Sequence, residues 1–229
     1  YGADSLRLYE MFMGPLTQVK PWQMKGVEGV SRFLGKVWRA VFTQDKATNA
    51  WTLSEKVVNE EPTDKALLKV VHETIKKVGE DIESMSFNTA ISQMMICTNA
   101  FTKAEKLPVS LLVEFLKVLN PFAPHITEEI NASLSVQFVS VQCSDEASNL
   151  LSEQPWPQFI AEYLVESEIQ LVVQVNGKVR AKLMVSKEAS KEEVEALALA
   201  DASVQSHTEG LTIRKVIVVP GRLVSIVAN

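Results

Sequence analysis

A length of 229 residues, 46% of them hydrophobic and 22% charged, is enough for one large or two modest globular domains. No apolar run approaches the roughly 18 residues that suggest a membrane span, and the two cysteines, Cys97 and Cys143, have the spacing of neither a disulfide framework nor a cysteine zinc site, which points to a reducing compartment. The net charge of −5 argues weakly against nucleic acid, but it is unevenly spread. Residues 1–167 carry 15 Lys and Arg against 21 Asp and Glu, and residues 168–229 carry 8 against 7. The stretches 169–187 and 211–229 hold seven basic residues and no acidic one.

Helical periodicity dominates the first two thirds. In "ADSLRLYEMFM" Asp4 offers a helix start, and Gly14-Pro15 stops it. "VEGVSRFLGKVWRAVF" places Val30, Leu34, Val37, Trp38 and Val41 on one apolar stripe, with Arg32, Lys36 and Arg39 together on the opposite side. Residues 43–61 are polar and irregular, and a loop or short insertion is expected there. Pro62 and Thr63 open a long helix whose apolar face holds Leu67, Leu68, Val71, Ile75, Val78 and Ile82. Another helix follows over about 87–104, then "VSLLVEFLKVL" up to the break at Asn120-Pro121, then "APHITEEINASL". Short connections between amphipathic helices predict an antiparallel bundle. The two prolines around Trp156 in "QPWPQF" predict an extended strap with the indole packed on the bundle.

The tail changes period from 3.6 to 2. Two alternating strands, a helical stretch at about 190–207 and a second apolar pair around Pro220-Gly221 predict strand-strand-helix-strand-strand, a small two-layer α/β domain. The chain is thus expected to be α+β and mainly α: a helical bundle over 1–150, a strap and linker over 151–167, and a small domain over 168–229. His125, after Pro124, sits at a helix start as a structural, hydrogen-bonded residue. His72 and His207 stand alone, without metal-ligand spacing.

"VVQVNGKVRAKLMV" reads as a hairpin. A two-residue turn at Asn176-Gly177 pairs Val175 with Lys178 and puts valines and cations on one face. A three-residue loop, 175–177, with Gly177 left-handed at a bulge, opposes Val173 with Val179, Leu171 with Ala181 and Ile169 with Leu183. One face is then wholly apolar, and Lys178, Arg180 and Lys182 stand in a row about 7 Å apart on the other. The second register is the expected one. The row suits a phosphate backbone, or else a solvated, aggregation-proof sheet face. Arg214, Lys215 and Arg222 in the second acid-free segment favour RNA or DNA. The stripe Arg32, Lys36, Arg39 divides in the same way between a phosphate contact and a solvated helix face.

Several segments resemble one family. "YGADSLRLYEMFMGPL" is similar to the segment after the Lys-Met-Ser-Lys-Ser loop of bacterial-type leucyl-tRNA synthetases. "LNPFAPHITEEI" resembles the last bundle helix of the class I enzymes for leucine, isoleucine, valine and methionine, and "VVQVNGKVRAKLMV" with "IRKVIVVPGRLVSIV" resembles the small C-terminal domain of the leucyl enzymes. The resemblance implies an anticodon-binding-type bundle that grips the tRNA body and a tethered domain that reaches the tRNA elbow. It implies Arg32, Lys36, Lys178, Arg180 and Lys182 as tRNA contacts, although Ser31 departs from the family's "NRFL" pattern, and the basic patterns themselves add Arg39, Arg214 and Lys215 as candidates. No His-Ile-Gly-His, Lys-Met-Ser-Lys-Ser or threonine-rich editing segment is present, and the chain begins at Tyr1. The implied protein is therefore a fragment or processed piece, monomeric, with no catalytic residue, cofactor or metal of its own. Its parent, carrying catalytic and editing domains upstream, would use ATP with magnesium to join leucine to tRNA(Leu) in a bacterial cytoplasm or in an organelle. The competing expectation is a free-standing helical-bundle interaction module.

Overall fold

The computed structural model describes residues 1–15, 17–19, 21–138, 150–164, 168–186, 189–209, 212–219 and 222–229. They divide into two compact units, Tyr1–Leu164 and Val165–Asn229. The turn expected at Pro220-Gly221, Cys143 and the end of the expected linker at 165–167 lie outside the described residues.

The first unit is built from α1 (Ala3–Phe12), α2 (Met24–Val41), α3 (Lys65–Glu83), α4 (Phe87–Lys103), α5 (Val109–Leu119), α6 (Pro124–Gln137) and the single-turn α7 (Ala161–Leu164). Its core takes Val30, Val37 and Val41 from α2, Val71, Ile75 and Val78 from α3, Ile91 and Met94 from α4, and Leu112, Phe115 and Leu116 from α5. These are the apolar stripes of the sequence, and burying them is the main force holding the helices together. The helix α3 begins later than Pro62-Thr63 suggests. Asp64 is its N-cap, and its carboxylate accepts from the backbone N–H of Ala66 and Leu67.

Two expectations fail locally. Residues 43–61 are not simply a loop: β1 (Phe42–Gln44) and β2 (Trp51–Leu53) form an antiparallel hairpin, and β3 (Val57–Val58) pairs in parallel with β4 (Leu107–Pro108). The Asp45 carboxylate closes the hairpin by accepting from the N–H of Ala47 and Thr48, and Trp51 meets Trp38 edge-on at 6.2 Å. Asp4, for its part, does not start α1, which is preceded by Gly2. It caps α6 instead. The N-cap of α6 is Ala123, which has no side-chain acceptor. Asp4 supplies one from 122 residues away, accepting from Ile126 N at 2.8 Å and from His125 N at 3.4 Å, with its Oδ1 2.7 Å from His125 Nδ1. His125 is thus the hydrogen-bonded helix-start residue the sequence suggests.

Close packing fixes the α1–α2 pair. A Cβ at Gly26 would lie 2.4 Å from Tyr9 Cε2, and Tyr9 cannot easily retreat. Its hydroxyl accepts from Gln23 N at 2.7 Å, and its ring sits edge-on to Trp22 at 4.7 Å. Gly26→Ala is therefore expected to destabilise this unit by about 1–3 kcal/mol, despite alanine's better helix propensity. Chemical denaturation checks it, and a neutral or stabilising result would contradict the packing.

The second unit contains one four-stranded sheet with strand order β6-β5-β8-β7, from β5 (Glu168–Val175), β6 (Lys178–Ser186), β7 (Ile213–Val219) and β8 (Leu223–Ala228). The hairpins β5–β6 and β7–β8 join through a parallel β5–β8 pairing. The helical stretch at about 190–207 is two helices, α8 (Lys191–Ala200) and α9 (Ala202–Thr208). Asp201 ends the first and caps the second, accepting from Ser203 N and Val204 N. Val194, Ala198 and Val204 from these helices pack with Leu171, Val173, Val175, Val185, Val224 and Ile226 of the sheet in a separate core. The architecture is α+β and mainly α.

Candidate nucleic-acid interface

The helix α2 owes its two sides to its spacing. Val27, Val30, Phe33, Leu34 and Val37 are buried, and Arg32 and Arg39 are exposed on the opposite side. The three expected cations are not equivalent. Lys36 is half-buried, and its ammonium donates to Asn99 Oδ1 on α4, so it ties two helices together. Arg32 spends one weak bond, Nε to Glu28 O at 3.4 Å. The Arg39 guanidinium folds back over Gly35, where a Cβ would lie 3.2 Å from Nη1. Two exposed guanidinium groups and one anchored ammonium make a sparse basic stripe.

The hairpin β5–β6 overturns the expected register. Val175 pairs with Lys178, so the turn is the two-residue Asn176-Gly177, with φ of 49° and 77°. Positive φ at both positions gives the twist that suits a tight hairpin. Asn176 adopts it because its side chain is bound on both sides to the neighbouring strand: Nδ2 donates to Ala228 O at 2.9 Å, and Oδ1 accepts from Ala228 N at 3.0 Å. Its own N–H donates to Ile226 O. The problem the tight turn creates, valines and cations on one face, is solved one step further on. Gln174 pairs with Val179, and Val173 with Ala181, leaving Arg180 as the extra residue of a bulge. Beyond it Ala181, Leu183 and Val185 fall on the buried side.

The three hairpin cations are all exposed, but they do not form one row. Lys178 stands opposite buried Val175, at the edge of the helix-covered face; Arg180 is in the bulge; Lys182 is opposite Val172, on the uncovered face. The β7 edge repeats the device: Ile213 pairs with Ala228 and Lys215 with Val227, so Arg214 is the extra residue there. Lys215 lies on the uncovered face. Both outer strands thus carry an arginine at a bulge and one lysine on the open face.

That open face is not the polar surface the sequence suggests. Between Lys182 and Lys215 it presents Val179, Ile217 and Val227, exposed by 55%, 41% and 41%, with Val172, Val219 and Leu223 half-buried and Gln174 and Ser225 between them. It is an apolar sheet face with a basic rim. Sequence alternation does not reveal it, because the apolar pattern of β7 and β8 is continuous rather than alternating. Substituting Asn176 should loosen this face. Asn176→Ala removes two hydrogen bonds and places alanine at positive φ, at an expected cost of about 2–3 kcal/mol to this unit. Gly177→Ala should cost about 1 kcal/mol. Amide hydrogen exchange along β8 reads both, and an N176A sheet as protected as the parent would contradict the tie.

Cys97 is buried, and burial pushes its thiol pKa up to about 12, with a hydrogen bond to Thr74 opposing. Among the described residues no group of three or more His, Cys, Asp and Glu could hold a metal ion. None of their helices is long and apolar enough to cross a membrane.

Residues 64–196, more than half of the chain, match the sequence profile of the family described as the anticodon-binding domain of tRNA ligase. This chain belongs to that family. The matched range runs from the cap of α3 through the strap and the β5–β6 hairpin into α8, so it covers part of both units. As a domain related to aminoacyl-tRNA synthetases, the chain also has a solved likeness. It is similar in fold to a chain in the crystal structure of an Agrobacterium radiobacter K84 complex, described as the ternary complex of agnB2 LeuRS, tRNA and LeuAMS, with a TM-score of 0.61 and 24% identity. The similarity covers 100% of this chain and 29% of that one.

Proposed function

We propose that this chain is the tRNA-binding part of a leucine–tRNA ligase, holding tRNA(Leu) for ATP- and magnesium-dependent leucylation by catalytic and editing domains elsewhere in the same polypeptide. The observation that carries the reading is the fold likeness to a leucyl-tRNA synthetase over the whole chain, second unit included, in a structure that also contains tRNA. The family match supports the first unit as the module that grips the tRNA body. The sheet face between Lys182 and Lys215 is the surface for the elbow.

The division of labour follows from the residues. Arg32 and Arg39 supply exposed phosphate contacts on the first unit, and Lys36 stiffens the helix that carries them. In the second unit Arg180, Lys182, Arg214 and Lys215 frame an apolar field. Cations at the rim hold phosphates and set orientation, and branched aliphatic side chains pack against exposed bases or sugars, which a purely charged surface cannot do. Two modest sites on one chain bind together far more tightly than either alone. The fixed tRNA then presents its acceptor end at high effective concentration to a distant active site. The chain works as a monomer in the cytoplasm of a bacterium or within an organelle. It needs no cofactor of its own and should show no leucine-dependent pyrophosphate exchange.

One observation favours a second reading. An apolar sheet face with three exposed aliphatic side chains also suits a protein partner, as in a free-standing interaction module. Binding of tRNA(Leu) and of a non-cognate tRNA to the 229-residue chain separates the two. The proposal expects measurable, salt-sensitive binding that favours tRNA(Leu). Absence of tRNA binding at low salt would transfer the open face to a protein partner.

A further inference from the structure

Residues 156–163 lie along α3 on a track with helical spacing. Gly79 leaves room for the Trp156 indole, a Cβ there standing 3.5 Å from Nε1. Three residues back, the Lys76 ammonium sits over the Phe159 ring, 5.6 Å from its centroid. Four residues further back His72, only 7% exposed, meets the strap twice: its Nδ1 accepts the Ile160 N–H at 3.2 Å, and its ring packs on Tyr163 at 4.8 Å. The positions 72, 76 and 79 share one face of the helix, so the strap runs antiparallel to α3. Pro155 and Pro157 keep it extended beside Trp156.

Among these contacts the one at His72 depends on a group that ordinarily titrates between pH 5 and 8, whereas the Lys76 ammonium stays charged there. An Nδ1 that accepts a backbone N–H cannot itself carry hydrogen, so the bond requires a neutral imidazole protonated at Nε2. Burial depresses the pKa of His72, with the Glu114 carboxylate pulling the other way. Among the described residues the charges on the elements packed around it are few. Glu114 on α5 is already paired with Lys117 at 2.9 Å. On α3 itself stand Lys76 and the pair Lys69–Glu73. The helix α7 contributes Glu162, and the one charged residue of α4 is Lys103 at its far end.

We propose that His72 is a proton-operated clasp: neutral, it accepts the Ile160 N–H and holds residues 156–163 on α3, and on taking a proton at Nδ1 it releases them. The bond lost is Ile160 N–H to Nδ1, and the proton comes from solvent. Released His72 titrates near the ordinary value of about 6.5. Below that pH each unit therefore makes release about tenfold easier, until the docked ring itself protonates. The strap immediately precedes the second unit, so release adds chain to the tether and lowers the effective concentration of a second tRNA contact. Only this consequence rests on the function proposed above.

The test uses the 229-residue chain without RNA. Amide exchange at Ile160 is measured from pH 8 to pH 5, corrected for intrinsic rate and compared with core amides of α5. The expected result is a protection factor that is flat above pH 7 and falls about tenfold per unit below 6.5, while the α5 amides stay protected. His72→Asn keeps an acceptor near the Nδ1 position and should abolish the pH dependence. His72→Phe keeps the ring against Tyr163 without the acceptor and should leave Ile160 weakly protected at every pH. Flat protection at Ile160 in the parent protein, or an H72N profile that falls like the parent's, would overturn the clasp. Either result leaves the tRNA reading standing, because no tRNA enters the measurement.

Discussion

Placing carboxylates at both Val179 and Ile217 should weaken binding of tRNA(Leu) by about ten- to a hundredfold while leaving the protein folded. Both side chains point out of the sheet, at 55% and 41% exposure, between the lysines of the basic rim. Val179→Glu and Ile217→Glu together remove apolar contact area and set two negative charges against a polyanion, where like-charge juxtaposition is strongly unfavourable. The folding cost is limited to strand propensity and lost side-chain packing at exposed positions, about 1 kcal/mol at most for each. The control is Val179→Thr with Ile217→Thr, which keeps β-branching and neutrality and should lose only a fewfold. Unchanged affinity in the double glutamate variant would mean that tRNA does not approach this face.

A large loss of stability in the first unit is expected on removal of Asp4. Its carboxylate is the acceptor for the N-terminus of α6, holds the His125 ring, and is itself nearly buried at 8% exposure. Asp4→Ala leaves the Ile126 N–H without its acceptor and should cost about 2 kcal/mol, the upper range for a lost cap. For a unit of this size that corresponds to a fall in Tm of roughly 4–8 °C. Asp4→Asn keeps an acceptor, since Asn caps about as well as Asp, and should recover much of the loss. A thermal melt that does not distinguish alanine from aspartate at this position would contradict the cross-chain cap.

Much of this architecture is legible in the residues, and the misses have physical causes. Helix faces were readable because Leu67, Val71, Ile75 and Val78 can be buried together only at helical spacing. Asn120-Pro121 closes α5 for reasons carried in its own backbone. Asp4 misleads because a capping residue followed by a helix is a local signal, whereas its acceptor is used 122 residues away. Asp201 sits inside an apolar run that continues through it, and only the Ser203 and Val204 N–H groups show that one helix ends there and another begins. The hairpin 42–53 hides in polar residues because an aromatic contact with Trp38 on α2 holds it, not an alternating pattern.

The basic surfaces were legible only in part. The cations at 178, 180 and 182 alternate in sequence, and strict alternation put them on one face. A single extra residue at Arg180 moves Lys178 and Lys182 to opposite faces, and Arg214 does the same work on the far edge. No residue type announces a bulge of this kind. It arises because the apolar faces of Leu171, Val173 and Val175 must meet Ala181, Leu183 and Val185 while Asn176 is tied to β8. Lys36 looks equivalent to Arg32 and Arg39 until Asn99 is placed beside it.

The central claim, that the open sheet face with its two lysines is an RNA surface, is tested most directly by the salt dependence of tRNA(Leu) binding in the Lys182→Ala, Lys215→Ala double variant. If each lysine neutralises one phosphate, the log–log slope should flatten by about 0.7 to 0.9 per lysine relative to the parent chain, with affinity reduced at low salt and thermal stability unchanged. A double variant with the parent's slope and the parent's affinity would contradict the claim.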